Sequence, residues 1–223
     1  KGKYENGAKD ISPKTGKNLK LTLDIQLQLL GEKLLSGKVG SVVAIEPKTG
    51  EILAMVSNPT FNPSLLVGRE RSKNYSLLVA DPTKPLMNRA TQAQYSPGST
   101  LKPIQALVCL NLGGITEDTR FTCNGPSSSP IKCTHHHGSP VTLLNAIEQS
   151  CNPYFWQTFR STIEKNGYGA KNANFKASYD QWRESMMEFG LGKKFEDSDI
   201  YQQSRGNVPS INFYNKVFGE IGW

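Results

Sequence analysis

The sequence predicts an α/β fold in which helices pack on an antiparallel sheet. Three observations carry that expectation. Two short apolar runs, Ser41 to Ile45 and Ile52 to Val56, flank Pro47-Lys48-Thr49-Gly50, the pattern of a β-hairpin with strands buried on both faces. Apolar residues recur at helical spacing in several later stretches, most clearly at Leu101, Ile104, Val108 and Leu112. No internal repeat is present.

Composition bounds the function. The chain has 223 residues, 37% of them hydrophobic, and a formal charge of +7. That length holds one sizeable core, or one domain with an extension. The low apolar share predicts long polar loops. No apolar run is long enough to span a membrane, and the first residues do not read as a secretory signal. Because the chain starts with Lys rather than Met, it is expected to be an excised piece. The positive charge suits an acidic partner or surface as well as plain solubility. No basic run interleaves with aromatics and no nucleic-acid motif occurs, so no nucleic acid is expected as a partner.

Taken in order, residues 1–18 are polar, rich in Lys and Gly, and without a period, as in a linker or the end of a preceding region. Leu19-Lys20-Leu21-Thr22-Leu23 alternates like a strand. Asp24 caps a helix predicted to run to about Ser36, with Leu27, Leu30 and Leu34 on one face. The hairpin follows. Asn58 to Pro63 is a loop, residues 65–80 contain a helix with Arg69, Arg71 and Lys73 exposed, and Asp81 to Pro85 is a turn. Met87 to Thr91 is predicted to be extended. Pro97-Gly98 then marks a turn ahead of the helix through Leu112, which Gly113-Gly114 stops. Residues 114–140 form a long polar loop, a length that needs a function or a staple. Helices are predicted over 141–151 with Leu144 and Ile147 inward, from Tyr154 to about Glu164 behind Pro153, and from about Tyr179 to Phe189. The last thirty residues look turn-rich.

The chemistry concentrates at Ser99-Thr100-Leu101-Lys102. Ser99 lies in the first turn of the helix, and Lys102 is its neighbour on the same face. A neutral Lys can take a Ser proton, and the helix start favours the negative charge that develops. The pattern alone is not specific, because Ser129-Pro130-Ile131-Lys132 has the same form. That run sits in a Pro/Ser-rich loop with no helical period behind it.

Ser96-Pro97-Gly98-Ser99-Thr100-Leu101-Lys102-Pro103 resembles the active-site turn of penicillin-binding transpeptidases, and Ile45 to Met55 resembles their hairpin. Ser150-Cys151-Asn152 is similar to their second motif at the usual distance, and Phe189-Gly190-Leu191-Gly192 to their Phe-Gly-Leu-Gly stretch. The run Leu66 to Tyr75 is similar to the elongation-class, class B members, the penicillin-binding protein 2 group. The resemblance covers about residues 18–223 and is specific as a set. It implies the penicillin-binding transpeptidase (β-lactamase-like) fold, with residues 1–18 ending a non-catalytic region and 19–223 forming a partial transpeptidase domain. A third family motif, Lys-Thr-Gly or Lys-Ser-Gly, is expected beyond the second. Here Lys-Thr-Gly occurs only at Lys14-Thr15-Gly16 and Lys48-Thr49-Gly50, both before Ser99. The fold is therefore expected to be truncated before the third-motif strand, and activity to be impaired.

The resemblance implies a peptidoglycan D,D-transpeptidase that cross-links stem peptides through an acyl-enzyme on Ser99 and is a target of β-lactam antibiotics. Lys102 would be the acylation base, Ser150 a proton relay, and Asn152 a partner of the substrate amide or of Lys102. A membrane glycosyltransferase of the elongation machinery is the implied partner. The periplasmic face of the bacterial inner membrane is the implied location. A serine β-lactamase or penicillin-sensing domain shares Ser-x-x-Lys, and a scaffold module could keep the fold without the chemistry.

Cys109 falls inside the Ser99 helix, where it reads as a small buried hydrophobe. Cys123, Cys133, His137 and Cys151 form a Cys3His set, the ligand types of a structural zinc site. The resemblance implies the same, because the middle residue of the second motif and a His before a Gly hold zinc in some elongation-class members. Carboxylates can replace the two loop cysteines there. His135 and His136 are possible substitutes for His137. A Cys123–Cys133 disulfide, expected in an exported domain, and three inert thiols remain alternatives.

Overall fold

The computed structural model describes residues 11–196 and 198–220. Part of the predicted linker, residues 1–10, and the final three residues lie outside them. The chain divides into two compact units, Lys1–Ala90 and Thr91–Trp223.

In the first unit, helix α1 (Ile25–Leu35) starts where Asp24 accepts the backbone N–H groups of Gln26 and Leu27 at 2.8 and 3.0 Å, the N-cap expected of it. The hairpin pairs β1 (Gly40–Ile45) antiparallel with β2 (Ile52–Asn58), Val42 opposite Val56 and Ala44 opposite Ala54. The face that the helix presents to the sheet overlaps only in part with the predicted one, since Leu27 and Gln28 are half-buried. Gly31 is buried on it, and a Cβ there would stand 2.7 Å from Val56 Cγ2. Gln28 accepts the Met55 N–H at 2.9 Å and donates to the Met55 carbonyl at 3.1 Å. Leu30 and Leu34 are exposed.

Three further expectations are corrected in this unit. Leu19 to Leu23 is extended but forms no strand. Its links to β2 are the Thr22 hydroxyl on the Ile52 carbonyl and the Asp24 N–H on the Leu53 carbonyl, short of a ladder. Strand β1 is not buried on both faces, since Val42, Val43 and Ile45 are exposed while Ala54 and Val56 of β2 are buried. The segment predicted to be extended after Met87 turns into helix α3 (Arg89–Gln92), because the Asn88 side chain accepts the Ala90 N–H at 3.1 Å. The helix predicted within 65–80 is α2 (Arg71–Ala80), with Arg69, Arg71 and Lys73 exposed.

The second unit is helix on helix. A 3-10 turn, Gly98–Leu101, leads into α4 (Lys102–Asn111). Helices α5 (Leu143–Glu148), α6 (Asn152–Ile163), α7 (Ala173–Glu188) and α8 (Ile211–Phe218) complete it. Gly114 lets α4 close on α6, because a Cβ at this position would lie 2.7 Å from the Thr162 Cα. Helix α5 is rotated from its predicted phase: Leu143 and Ala146 are buried, Leu144 and Ile147 exposed. The Thr142 cap and the bridge of Phe121 with Val141, N–H to carbonyl at 3.1 and 2.8 Å, set that phase. Helix α7 begins at Ala173 rather than near Tyr179, capped by Asn172. The turn-rich last stretch also contains α8, capped by Ser210.

Loop 114–140 packs over α6. Tyr154 Oη donates to the Thr119 carbonyl at 3.1 Å and Gln157 Nε2 to the Thr122 carbonyl at 3.2 Å. Cys123, Cys133 and Cys151 join Cys109, Tyr154 and Phe155 in the core beneath it.

Candidate active site and metal centre

The 3-10 turn before α4 carries Ser99 on the surface and puts Lys102 one turn further in. The turn is held by the Thr100 hydroxyl, which donates to the Pro97 carbonyl at 2.6 Å. Ser150 joins α5 to α6 with φ of +52°, a left-handed conformation that non-glycine residues rarely adopt. It swings the Ser150 hydroxyl back toward α4.

Four predicted residues meet in one network. Lys102 Nζ donates to Ser150 O at 2.6 Å, Ser150 Oγ at 2.9 Å and Asn152 Oδ1 at 2.7 Å. Ser150 Oγ donates to Ser99 Oγ at 2.8 Å. An ammonium has three donors, and all three are used. Lys102 also sits 5.6 Å above the Phe155 ring. Burial holds its ammonium below the usual lysine range, against the opposing pull of Cys151 and Cys133. Ser99 thus connects to Lys102 through the Ser150 hydroxyl.

Ser99, Lys102 and Asn152 line an open cavity of about 480 Å³ walled by Ile131, Phe155, Trp156 and Trp182. The second Ser-x-x-Lys run, in the aperiodic loop, supplies part of it. Ile131 forms one wall, and the Lys132 carbonyl accepts Asn152 Nδ2 at 3.4 Å. Nothing periodic in that loop signalled this. Gln105 was within reach of sequence reasoning, standing one turn beyond Lys102. It lines the cavity and donates to the Phe155 carbonyl at 3.2 Å.

The predicted Cys3His set also comes together. The ligand atoms of Cys123, Cys133, His137 and Cys151 all lie within 4.8 Å of one another. His137 Nε2 is 3.6 Å from Cys123 Sγ and 3.4 Å from Cys133 Sγ. Its Nδ1 is 3.1 Å from the Gly138 carbonyl, to which an Nδ1–H donates, while Nε2 faces the sulfurs. All four cysteines are free thiols. Although burial opposes ionisation of Cys133, hydrogen bonds from the His135 N–H, His137, the Asn152 N–H and Cys123 bring its thiol down to about 7. Burial pushes the Cys151 thiol up. The thiol and imidazole donors and their mutual distances fit a tetrahedral zinc ion. His135 and His136 stand outside the cluster: His135 Nδ1 meets the Thr134 hydroxyl, and His136 packs over Gly125.

Comparisons with known proteins give the family. Residues 40–220 match the penicillin binding protein transpeptidase domain, so the chain belongs to that family. It is 32% identical over 225 residues to the peptidoglycan D,D-transpeptidase MrdA of Escherichia coli strain K12, covering 98% of this chain and 33% of that protein. The chain thus spans about a third of the length of the curated relatives it matches. The penicillin-binding protein PBP2 from Helicobacter pylori superposes with a TM-score of 0.72 at 28% identity, over 96% of this chain and 38% of that one. In a complex with MreC the same protein superposes at 0.68 and 26% identity, over 90% and 37%. The penicillin G acyl-enzyme of penicillin-binding protein A from M. tuberculosis gives 0.64 at 28% identity, over 91% and 47%. No helix among the described residues is long and apolar enough to cross a membrane.

Proposed function

We propose that this chain is the Ser99-bearing part of a peptidoglycan D,D-transpeptidase of the elongation class that β-lactams acylate. The observation that carries this reading is the Ser99–Ser150–Lys102–Asn152 network opening on one cavity. Catalysis starts from neutral Lys102, so the network runs in reverse. Ser99 Oγ attacks the penultimate D-alanyl carbonyl, its proton passes to Ser150 Oγ, and the Ser150 proton passes to Lys102 Nζ. The Ser99 N–H, at the start of the 3-10 turn before α4, donates to the developing oxyanion. The proton then returns along the same path to the departing D-alanine nitrogen as the peptide bond breaks. A neighbouring stem-peptide amine attacks the ester and gives its proton to Lys102; as the cross-link amide forms and the ester C–O bond breaks, that proton passes through Ser150 Oγ to Ser99 Oγ. Asn152 keeps Lys102 aligned throughout.

Cys123, Cys133, His137 and Cys151 would hold a structural zinc. Bound there, it would tie loop 114–140 to the residues beside Ser150 and Asn152. The working location would be the periplasmic face of the inner membrane, beside a membrane glycosyltransferase and an MreC-type protein. The second oxyanion donor normally comes from a third-motif strand, and no Lys-Thr-Gly or Lys-Ser-Gly follows Ser99 here. Losing one such donor costs about 3–4 kcal/mol of barrier. Penicillin is therefore expected to acylate the 223-residue chain slowly or not at all. Intact mass over time tests this, and fast single-site labelling at Ser99 would contradict it.

A further inference from the structure

We infer that Gln105 is a positioning residue for acylation: it ties the first turn of α6 to α4 and so holds Asn152 against Lys102. The inference rests on the transpeptidase reading and adds a residue to it. Gln105 stands three residues after Lys102, on the same face of α4. Phe155 stands three residues after Asn152 on α6. Lys102 Nζ donates to Asn152 Oδ1 at 2.7 Å, and Gln105 Nε2 donates to the Phe155 carbonyl at 3.2 Å. These bonds are successive rungs between the same two helices, one turn apart.

The turn that carries Asn152 is weakly held by its own helix. Cys151, the N-cap of α6, makes no side-chain cap hydrogen bond, and Pro153 has no N–H to give. The first backbone bond, from the Phe155 N–H to the Cys151 carbonyl, is long at 3.4 Å. The bond from Asn152 Nδ2 to the Lys132 carbonyl is as long. The tight contact of Gly114 with Thr162 comes about two turns beyond Phe155. Lys102 cannot supply the missing restraint in the state that reacts. On losing its proton the amine loses one donor and the charge that strengthens its bond to Asn152. The Gln105 bond carries no charge and does not change with that proton. It keeps Asn152 in place when Lys102 is neutral and must receive the Ser150 proton.

The test follows penicillin G acylation of the protein at the full length its gene encodes, by stopped flow, as a limiting rate and the dissociation constant of the preceding complex. Gln105→Met keeps the length of the side chain and removes the donor. Its limiting rate is expected to fall about three- to tenfold, the worth of one neutral hydrogen bond, with the dissociation constant unchanged. The same substitution added to Asn152→Ala is expected to cost nothing further, because the residue it acts through is gone. Equal losses in both backgrounds, a loss carried by the dissociation constant alone, or no loss overturns the inference. If circular dichroism shows Gln105→Met unfolded, Gln105→Leu serves in its place with the same expectations. No acylation of the unaltered protein removes the transpeptidase reading and this inference with it. Acylation with additive losses removes this inference alone.

Discussion

Lys102 spends all three of its ammonium donors on Ser150 and Asn152. That arrangement holds a charged lysine, whereas attack by Ser99 needs a neutral one. The conflict predicts pH dependence. The acylation rate should rise with pH as Lys102 loses its proton, with a midpoint below the ~10.4 of a free lysine, because burial favours the neutral amine. A pH profile that falls through this range would contradict the assignment. Replacing Lys102 by Ala should slow penicillin acylation by about 10²–10⁴. Asn152→Ala should cost about 1.5–3 kcal/mol, the value of a charge-assisted bond, read as a tenfold to hundredfold slower rate by stopped flow. At this scale the sequence was informative where spacing along one helix decides proximity, as for Ser99 and Lys102. It was silent on Ile131 and Lys132, which reach the site by tertiary folding of an aperiodic loop.

The elements hold these residues through close packing. Gly114, just beyond α4, lies so close to α6 that an added methyl would collide with both the hydroxyl and the backbone of Thr162. Gly114→Ala should therefore destabilise the second unit by at least ~1–3 kcal/mol, the usual cost of overpacking, seen as a lower denaturation midpoint. Loop 114–140 is the other element at stake. Elemental analysis of protein purified without chelator should give one zinc per chain, lost in Cys151→Ser. Chelation should lower the melting temperature and slow acylation together, because the Cys133 segment carries the Lys132 carbonyl that receives Asn152. A metal-free protein with Cys123 linked to Cys133 would contradict the proposed zinc. Caps decided what was legible among the helices. Asp24 announced α1, but the phase of α5 was hidden because the Phe121–Val141 bridge, a contact between distant residues, sets it. Helix α8 was missed because its Ser210 cap stands in a stretch crowded with turn residues.

For the whole molecule, order and spacing of motifs made the family legible, since no single motif is specific and Ser-x-Asn also occurs at Ser72-Lys73-Asn74. The division into two units was not legible, because nothing in composition changes near Ala90. The central claim is that Ser99 is the acylated nucleophile. Its most direct test is peptide mapping, by mass spectrometry, of the protein at the full length its gene encodes after exposure to penicillin G. One adduct is expected, on the peptide containing Ser99, and it should be absent in Ser99→Ala. An adduct on another residue, or one that survives Ser99→Ala, would contradict the claim.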